Sequence, residues 1–246
     1  MHEIPRQVLI SLPTILGVDL SITNSVLLVW VSAAVTFVLL VCACRRKREE
    51  LVPRGAFANF FEALIEFVDR IVVRDSVGEH ARFWSPLLLT FFFFILIANL
   101  LGLLPFPSHV QAVTSDINVT AALALVVFVL TIVISVRRRG MLGFLKQFLP
   151  RGVSPWIAAL IMPIEVISWL ARPISLAVRL FANILAGHTL ILVFVSLTAA
   201  AAWFLKPLPL AGAVVMSVFE LFVSFIQAFV FTMLAGIYIK EALETH

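Results

Sequence analysis

Long runs without a formal charge limit what this 246-residue chain can fold into. The first three runs hold 25, 33 and 20 uncharged residues, and two longer apolar stretches follow them. A helix needs about 20 apolar residues to cross the hydrocarbon core of a bilayer. The pattern therefore predicts about five transmembrane helices, near residues 21–43, 84–104, 118–136, 155–204 and 208–240.

The composition excludes most other classes of protein. Apolar residues make up 62% of the chain and charged residues only 13%, whereas a soluble domain carries roughly 25% charged residues. These values exclude an ordinary soluble globule, a disordered chain, a collagen and a coiled coil. We expect one all-α membrane domain over residues 1–246 in contact with lipid. We assign its net charge of +4 to loops and not to nucleic-acid binding.

The basic residues predict the orientation of the chain in the membrane. Residues 45–82 carry eight Lys or Arg and residues 137–152 carry five, whereas loop 105–116 carries none and turn 205–209 carries only Lys206. Loops rich in Lys and Arg face the cytoplasm. Five crossings then place the N-terminal segment, residues 1–20, outside and the C-terminus inside.

Residues 53–75 predict an amphipathic helix in a cytoplasmic loop. The apolar side chains follow the i, i+3, i+4, i+7 spacing that places residues on one face of a helix, and the charged side chains lie outside that face. That apolar face comprises Phe57, Phe60, Phe61, Leu64, Ile65, Val68, Ile71 and Val72. A helix of this kind lies on the bilayer surface or binds a partner, and the sequence does not separate these alternatives.

Six polar residues share one face of the fourth apolar stretch, and we call them the first polar stripe. At about 100° per residue they fall within an arc of about 80°. They are Glu165, Ser168, Arg172, Ser175, Arg179 and Asn183. An Arg at the centre of a spanning helix costs about 2.5–3.5 kcal/mol, so this face must meet protein or water. Arg172 alone has competing explanations: it snorkels to the interface, pairs with Glu165, or takes part in a mechanism.

A second polar stripe lies on the last apolar stretch, at Ser217, Glu220, Ser224 and Gln227. His188 lies nine residues after Arg179, about 180° around the helix, so it must serve a different neighbour. If residues 154–240 form a long helical hairpin around the turn at Lys206, His188 and Glu220 lie at comparable distances from that turn. We therefore predict that they pair. Each serine taken alone is more typical of close helix packing.

Three other polar or reactive residues have ordinary structural explanations. Asp116 precedes a predicted helix, where an Asp commonly caps the helix N-terminus. Cys42 and Cys44 have no ligand set at metal spacing around them, so we predict no metal site and no cofactor.

The run from Arg172 to His188, RPISLAVRLFANILAGH, resembles the signature of subunit a of F-type ATP synthases. The segments at 99–105, 118–120 and 226–231 are similar to the middle and final spans of that family. The resemblance implies a stator beside a ring of c-subunits, with the b subunits of the peripheral stalk and the rest of the synthase as partners. It implies a proton-channel subunit that is not an enzyme by itself.

The resemblance also implies site residues. Arg179 matches the essential arginine that faces the carboxylates of the c-ring. Asn183, His188, Glu220 and Gln227, with Asp116, match positions that line the outer proton half-channel, and Glu165 and Ser168 match the cytoplasmic path. Some members carry the acid and the imidazole of the pair in the reverse order. A cationic arginine beside a rotor carboxylate favours its ionised form and blocks a direct proton leak.

Other functions are less compatible with the sequence. A secondary proton transporter or antiporter commonly has repeated halves with broken helices, which we do not find here. A structural anchor does not explain a six-member polar stripe, and a membrane enzyme lacks a nucleophile–base pair or metal motif. Without a recognisable signal or transit peptide, we expect a bacterial inner membrane, or alternatively an organelle inner or thylakoid membrane.

Overall fold

A computed structural model describes residues 8–10, 22–44, 56–103, 113–149 and 155–244. Nearly all of the described chain is helical, apart from a short antiparallel pair of β1 (Val8–Ile10) and β2 (Ile22–Thr23). The helices are α1 (Asn24–Cys44), α2 (Ala56–Phe67), a π-helix (Val68–Arg74), the single turn α3 (Asp75–Val77), α4 (Ala81–Leu103), α5 (Ile117–Lys146), α6 (Pro155–Ala200) and α7 (Pro207–Leu243).

The predicted all-α membrane fold is confirmed. Four helical stretches are long and apolar enough to cross a membrane, at Asn59–Leu103, Ile117–Leu145, Trp156–Ala200 and Pro207–Leu243. The shorter apolar helix Val26–Val41 lies within α1, whose 21 residues extend about 30 Å. The five long helices therefore lie where the charge-free stretches predicted them.

The helix ends differ from the predicted ones by at most four residues, except at the C-terminal end of α5. α4 begins at Ala81, three residues before the predicted start. α5 continues through the basic residues beyond 136, and its path bends at Gly140, which has φ of 70° and ψ of 169°. Glycine adopts this backbone conformation without steric cost. Most of the predicted outer segment 1–20 lies outside the described residues.

Helices α4 and α7 form the centre of the protein. Phe91 packs edge to face on Phe231 at a centroid distance of 5.9 Å, and Phe92 packs on Phe225 at 5.7 Å. Such aromatic pairs stabilise a core beyond the area that they bury. α1 packs on α4 from one side, and α5 and α6 pack against α7 from the other.

The amphipathic segment packs on the protein's own helices. Val68 and Val72 are fully buried in the core formed with α4 and α7. The ring centroids of Phe67 and Phe225 are 6.3 Å apart. Phe60 and Ile71 stay 63% and 41% exposed. Part of the predicted apolar face is therefore covered by the chain itself, which neither sequence-based alternative included, and only its outer members remain for a bilayer or a partner.

Helix α6 forms a hairpin with α7 and lies at the edge of the bundle. Among its described side chains only four are buried, and they are Leu176, Ala177, Leu180 and Ile184. Trp169 of α6 contacts three aromatic rings of α5 and the residues after it, at centroid distances of 4.5 to 5.6 Å. One narrow face of α6 therefore holds it in place, and a broad face is left uncovered.

Candidate functional site

The first polar stripe lies on the uncovered face of α6. Arg179 and Asn183 are exposed, as are Glu165, Ser168 and Ser175, while Arg172 is partly covered. Within the described chain, the guanidinium of Arg179 makes no hydrogen bond or ion pair. A permanently charged group in this position needs a neighbouring protein or water rather than lipid.

The second polar stripe faces the interior of the bundle. Glu220 and Gln227 are only 2% and 3% exposed, and Ser224 is fully buried. Ser217 is half-buried and donates a hydrogen bond to the carbonyl of Ala213 at 2.9 Å. The two stripes therefore serve different surroundings, although both follow helical spacing along apolar helices.

Glu220 pairs with His188 across the hairpin, as predicted. The distance between Nε2 of His188 and Oε1 of Glu220 is 3.5 Å, which is an ion-pair distance. Both carboxylate oxygens are buried and have no hydrogen bond to any described residue. A buried carboxylate with an imidazole as its nearest polar neighbour is suited to gaining and losing a proton.

Gly187 provides the space for that carboxylate. A Cβ atom at this position would lie 2.8 Å from Cδ of Glu220 and 3.0 Å from Oε1. The backbone of α6 can approach the Glu220 side chain this closely only because residue 187 has no side chain. The glycine preceding His188 therefore belongs to the site on steric grounds.

An amide pair connects the two stripes. Nδ2 of Asn183 donates a hydrogen bond to Oε1 of Gln227 at 2.9 Å. Asn183 lies one helical turn from Arg179, so it joins the exposed stripe to the buried one. The predicted residues His188, Glu220, Gln227 and Asn183 thus form a polar line that ends one turn from the arginine.

Asn99 of α4 extends this polar line and was not among the predicted site residues. Its Nδ2 donates to the backbone carbonyl of Ser224 at 3.5 Å, and Thr114 donates to its Oδ1 at 2.5 Å. An amide within a 33-residue uncharged run is the sequence signal that could have identified Asn99. The structure shows that this amide is buried. Asp116 lies two residues after Thr114 and caps α5 by accepting a hydrogen bond from the backbone of Asn118 at 3.0 Å.

A cavity of about 260 Å³ lies between α5, α6 and α7 near the C-terminal end of α7. Glu165 lines this cavity, whereas Ser168 is not among its lining residues. Arg172 also lines it, and its guanidinium contacts the carboxylate of Glu241 on α7. The sequence-based alternative that Arg172 pairs with Glu165 is therefore not what the structure has. In the described parts of the chain, no three His, Cys, Asp or Glu residues cluster as metal ligands.

The fold and the site define a polytopic helical membrane protein with ionisable side chains at bilayer depth, some buried and some turned outward. Comparison with known proteins gives the family. The family model for the ATP synthase A chain matches residues 26–240, and the chain belongs to that family.

Individual relatives agree with this assignment. The chain is 40% identical to ATP synthase subunit a of Neorickettsia sennetsu, over 97% of this chain and 96% of that protein. It is 39% identical to subunit a of Magnetococcus marinus, over 94% and 88% of the two chains. It is 41% identical to subunit a of Gluconobacter oxydans, over 93% and 91%. This integral membrane protein is therefore part of the F-type ATP synthase complex and takes part in proton transport and ATP synthesis.

Proposed function

We propose that this chain is the stator of the proton channel, in which two offset half-channels pass protons to and from the carboxylates of a c-subunit ring. The observation that carries this proposal is the exposed Arg179 midway along the uncovered face of α6. An unpaired cation at bilayer depth is costly unless an acidic neighbour or water covers it. A ring that carries one carboxylate per subunit would supply such neighbours in succession.

Arg179 has two tasks in this mechanism. Its charge attracts a passing rotor carboxylate and favours the ionised form, so that the carboxylate releases its proton. The guanidinium stays protonated at any physiological pH, so it does not relay protons itself. A fixed positive charge between the half-channels also opposes direct passage of protons from one to the other.

The proposed outer half-channel follows the buried polar line. A proton passes from the region of Asp116 to the pair of His188 and Glu220, and then along Gln227 and Asn183 to the rotor. This route is supported by the 3.5 Å pair and the 2.9 Å amide bond. Both Asn183 and Arg179 lie on the exposed face of α6, where a ring can reach them.

The proposed inner half-channel uses the 260 Å³ cavity that Glu165 lines. Ser168 lies on the same face as Glu165, one turn nearer to Arg179, and is exposed, although it does not line the cavity. Protons released near Arg179 would leave through this cavity toward the cytoplasm. The proposed orientation therefore has the N-terminus outside and the C-terminus inside a bacterial cytoplasmic membrane.

The neighbours of the chain follow from the same proposal. The c-ring covers the first polar stripe, the b subunits of the peripheral stalk hold the chain still, and lipid covers the remaining apolar surface. The chain binds no nucleotide in this scheme, and ATP is made in the soluble part of the complex. Residues 1–246 act as one membrane domain.

The decisive experiment replaces Arg179 by alanine in the complete synthase within membrane vesicles. We expect R179A to abolish proton-driven ATP synthesis while the soluble head still hydrolyses ATP. V178A is the matched control, because Val178 is also exposed on α6 but lies off the stripe. Coupled synthesis in R179A at the rate of V178A would overturn the proposal.

A further inference from the structure

Arg172 belongs to the first polar stripe, but its side chain turns toward α7. Its guanidinium contacts the carboxylate of Glu241, and its Cζ lies 5.3 Å from the centroid of the Tyr238 ring. An ion pair and a cation–π contact thus hold one side chain from the same direction. Arg172 and Glu241 are 34% and 50% exposed, so the pair is only partly covered by the chain itself.

The end of α7 is itself held in position. Arg139 of α5 donates through Nη2 to the backbone carbonyl of Glu241 at 2.7 Å, and also contacts the carbonyl of Glu244. It donates through Nη1 to the side chain of Gln147 at 3.1 Å. A cation on the last carbonyls of a helix stabilises that end. Glu241 is therefore presented to Arg172 from a fixed backbone.

All of these groups face the cavity that contains Glu165. The charged and titratable residues lining it are Arg139 from α5, Glu165 and Arg172 from α6, and Tyr238 and Glu241 from α7. Glu165 makes no ion pair or hydrogen bond with the described residues. It therefore lines the cavity as a carboxylate without a cation of its own.

Arg172 has two acids within reach, and the structure selects one. Glu165 and Arg172 are seven residues apart, two turns or about 10 Å along the same face. Two long side chains can bridge that distance. A guanidinium bound to Glu165 would favour the ionised carboxylate and so hinder it from accepting a proton. The contact with Glu241 prevents this, because the guanidinium is already occupied on α7.

We propose that Glu241 and Tyr238 are positioning residues of the inner proton path: they hold Arg172 away from Glu165, so that Glu165 stays free to exchange protons. This inference rests on the proposed function, because it takes the cavity as the inner half-channel. An ordinary surface ion pair would only add a small stabilisation. The two explanations differ in what happens when the positive charge of Arg172 is removed as well.

The test compares E241Q with E244Q in the assembled synthase in inverted membrane vesicles. Glu244 lies at the same helix end, and its carboxylate is 3.8 Å from Lys240, away from the cavity. We expect E241Q to lower ATP-driven proton pumping about two- to fivefold per assembled complex, the size typical of a half-exposed ion pair. E244Q should pump at the unmodified rate.

The pH dependence of pumping provides a second measurement. An ion pair that only stabilised the fold would not change the pH of half-maximal pumping. In E241Q the freed Arg172 stabilises the ionised Glu165, so pumping should recover as the pH on the cytoplasmic side is lowered. The pH of half-maximal pumping therefore moves to lower values in E241Q and does not move in E244Q.

The double variant R172Q/E241Q distinguishes a positioning role from an ion pair that only stabilises the fold. With the competing cation gone, it should pump faster than E241Q. The inference is overturned if E241Q behaves like E244Q, or if R172Q/E241Q is as slow as E241Q. Should E241Q fail to assemble, Y238L, which removes the ring beside the guanidinium of Arg172, carries the test, and an unshifted pH of half-maximal pumping in Y238L overturns the inference.

The R179A variant distinguishes a failure of the positioning role of Glu241 and Tyr238 from a failure of the proposed channel function. If R179A abolishes coupling but E241Q changes nothing, only the positioning role is wrong. If R179A retains coupling, the proposed channel itself is wrong.

Discussion

The two polar stripes differ in what covers them, although their sequences are alike. Both repeat every three or four residues along an apolar helix; the first carries the charged residues Glu165, Arg172 and Arg179, and the second carries Glu220 alone. Glu220 of the second stripe is 2% exposed and pairs with His188. Arg179 of the first stripe is exposed and has no partner in the described chain. One stripe is covered by the chain's own fold, and the other is left open to a neighbouring protein or water.

The difference shows that the spacing of polar residues in the sequence defines which face of a helix they share, but not what packs against that face. The second stripe is buried inside the hairpin, so its acid lies away from lipid. The first stripe stays open, so its cation can meet a moving partner. Asn183 joins the two, because it lies on the exposed face and bonds to buried Gln227.

After R179A, the largest expected effect comes from removing the buried pair. H188A and E220A should each lower proton-driven ATP synthesis about tenfold or more, since each removes a titratable group from the path. The exchanged variant H188E/E220H keeps one acid and one imidazole at the same place. We expect it to retain more synthesis than either single change, measured in vesicles energised by a proton gradient.

The exchange can also contradict the comparison. An H188E/E220H variant that assembles but is as inactive as H188A would mean that the two positions do not act as one unit. The amount of subunit a in the membrane, measured for each variant, is the control for assembly.

A medium effect is expected from filling the space at Gly187. In G187A the new Cβ would lie 2.8 Å from Cδ of Glu220, so the flexible carboxylate must move away from His188. An off-rotamer side chain costs about 0.5–1.5 kcal/mol, which corresponds to a two- to tenfold loss of proton conduction. Passive proton conduction through vesicles stripped of the soluble head measures this loss.

G212A is the matched control for G187A. Its Cβ would lie 2.7 Å from Cε1 of Phe194, so it crowds the same hairpin without touching the ionisable pair. If G212A lowered conduction as much as G187A, helix packing and not the carboxylate would explain both results.

The smallest effect is expected from the amide pair that joins the stripes. N183A and Q227A should each reduce conduction about two- to fivefold, since a hydrogen bond contributes about 0.5–1.5 kcal/mol. The double variant should be no worse than the more affected single variant, because both changes remove the same bond. Fully additive losses would show that Asn183 and Gln227 act independently.

Much of the fold could be predicted because the bilayer imposes a simple length rule. Uncharged runs located all five long helices, and every helix end but the last of α5 lies within four residues of its predicted position. Hydropathy does not report backbone conformation, so the bend at Gly140 and the π-helix at Val68–Arg74 were not predicted. The amphipathic segment was predicted as a helix, but its burial against α4 and α7 depends on long-range packing.

The site was predictable where two helices are joined by a short turn. His188 and Glu220 could be paired because positions in a hairpin are tied to the turn. Contacts that depend on how helices rotate against each other were not predictable in this way. Arg172 had two acids in reach, and only the structure identifies Glu241. Asn99 reaches Ser224 from a helix 125 residues distant in sequence.

The length of α6 has a consequence for how its polar face is met. Its 46 residues extend about 69 Å, more than twice the hydrocarbon thickness of about 30 Å, so the helix must run obliquely. Depth and lateral position then change together along its axis. In the proposed mechanism, a rotor carboxylate moves sideways at a constant depth in the membrane. It therefore meets α6 at one depth, and the residues of α6 above and below that depth lie to either side of the meeting point. In the proposed mechanism, the openings of the two half-channels on opposite faces of the membrane would thereby be set apart along the direction in which the rotor moves.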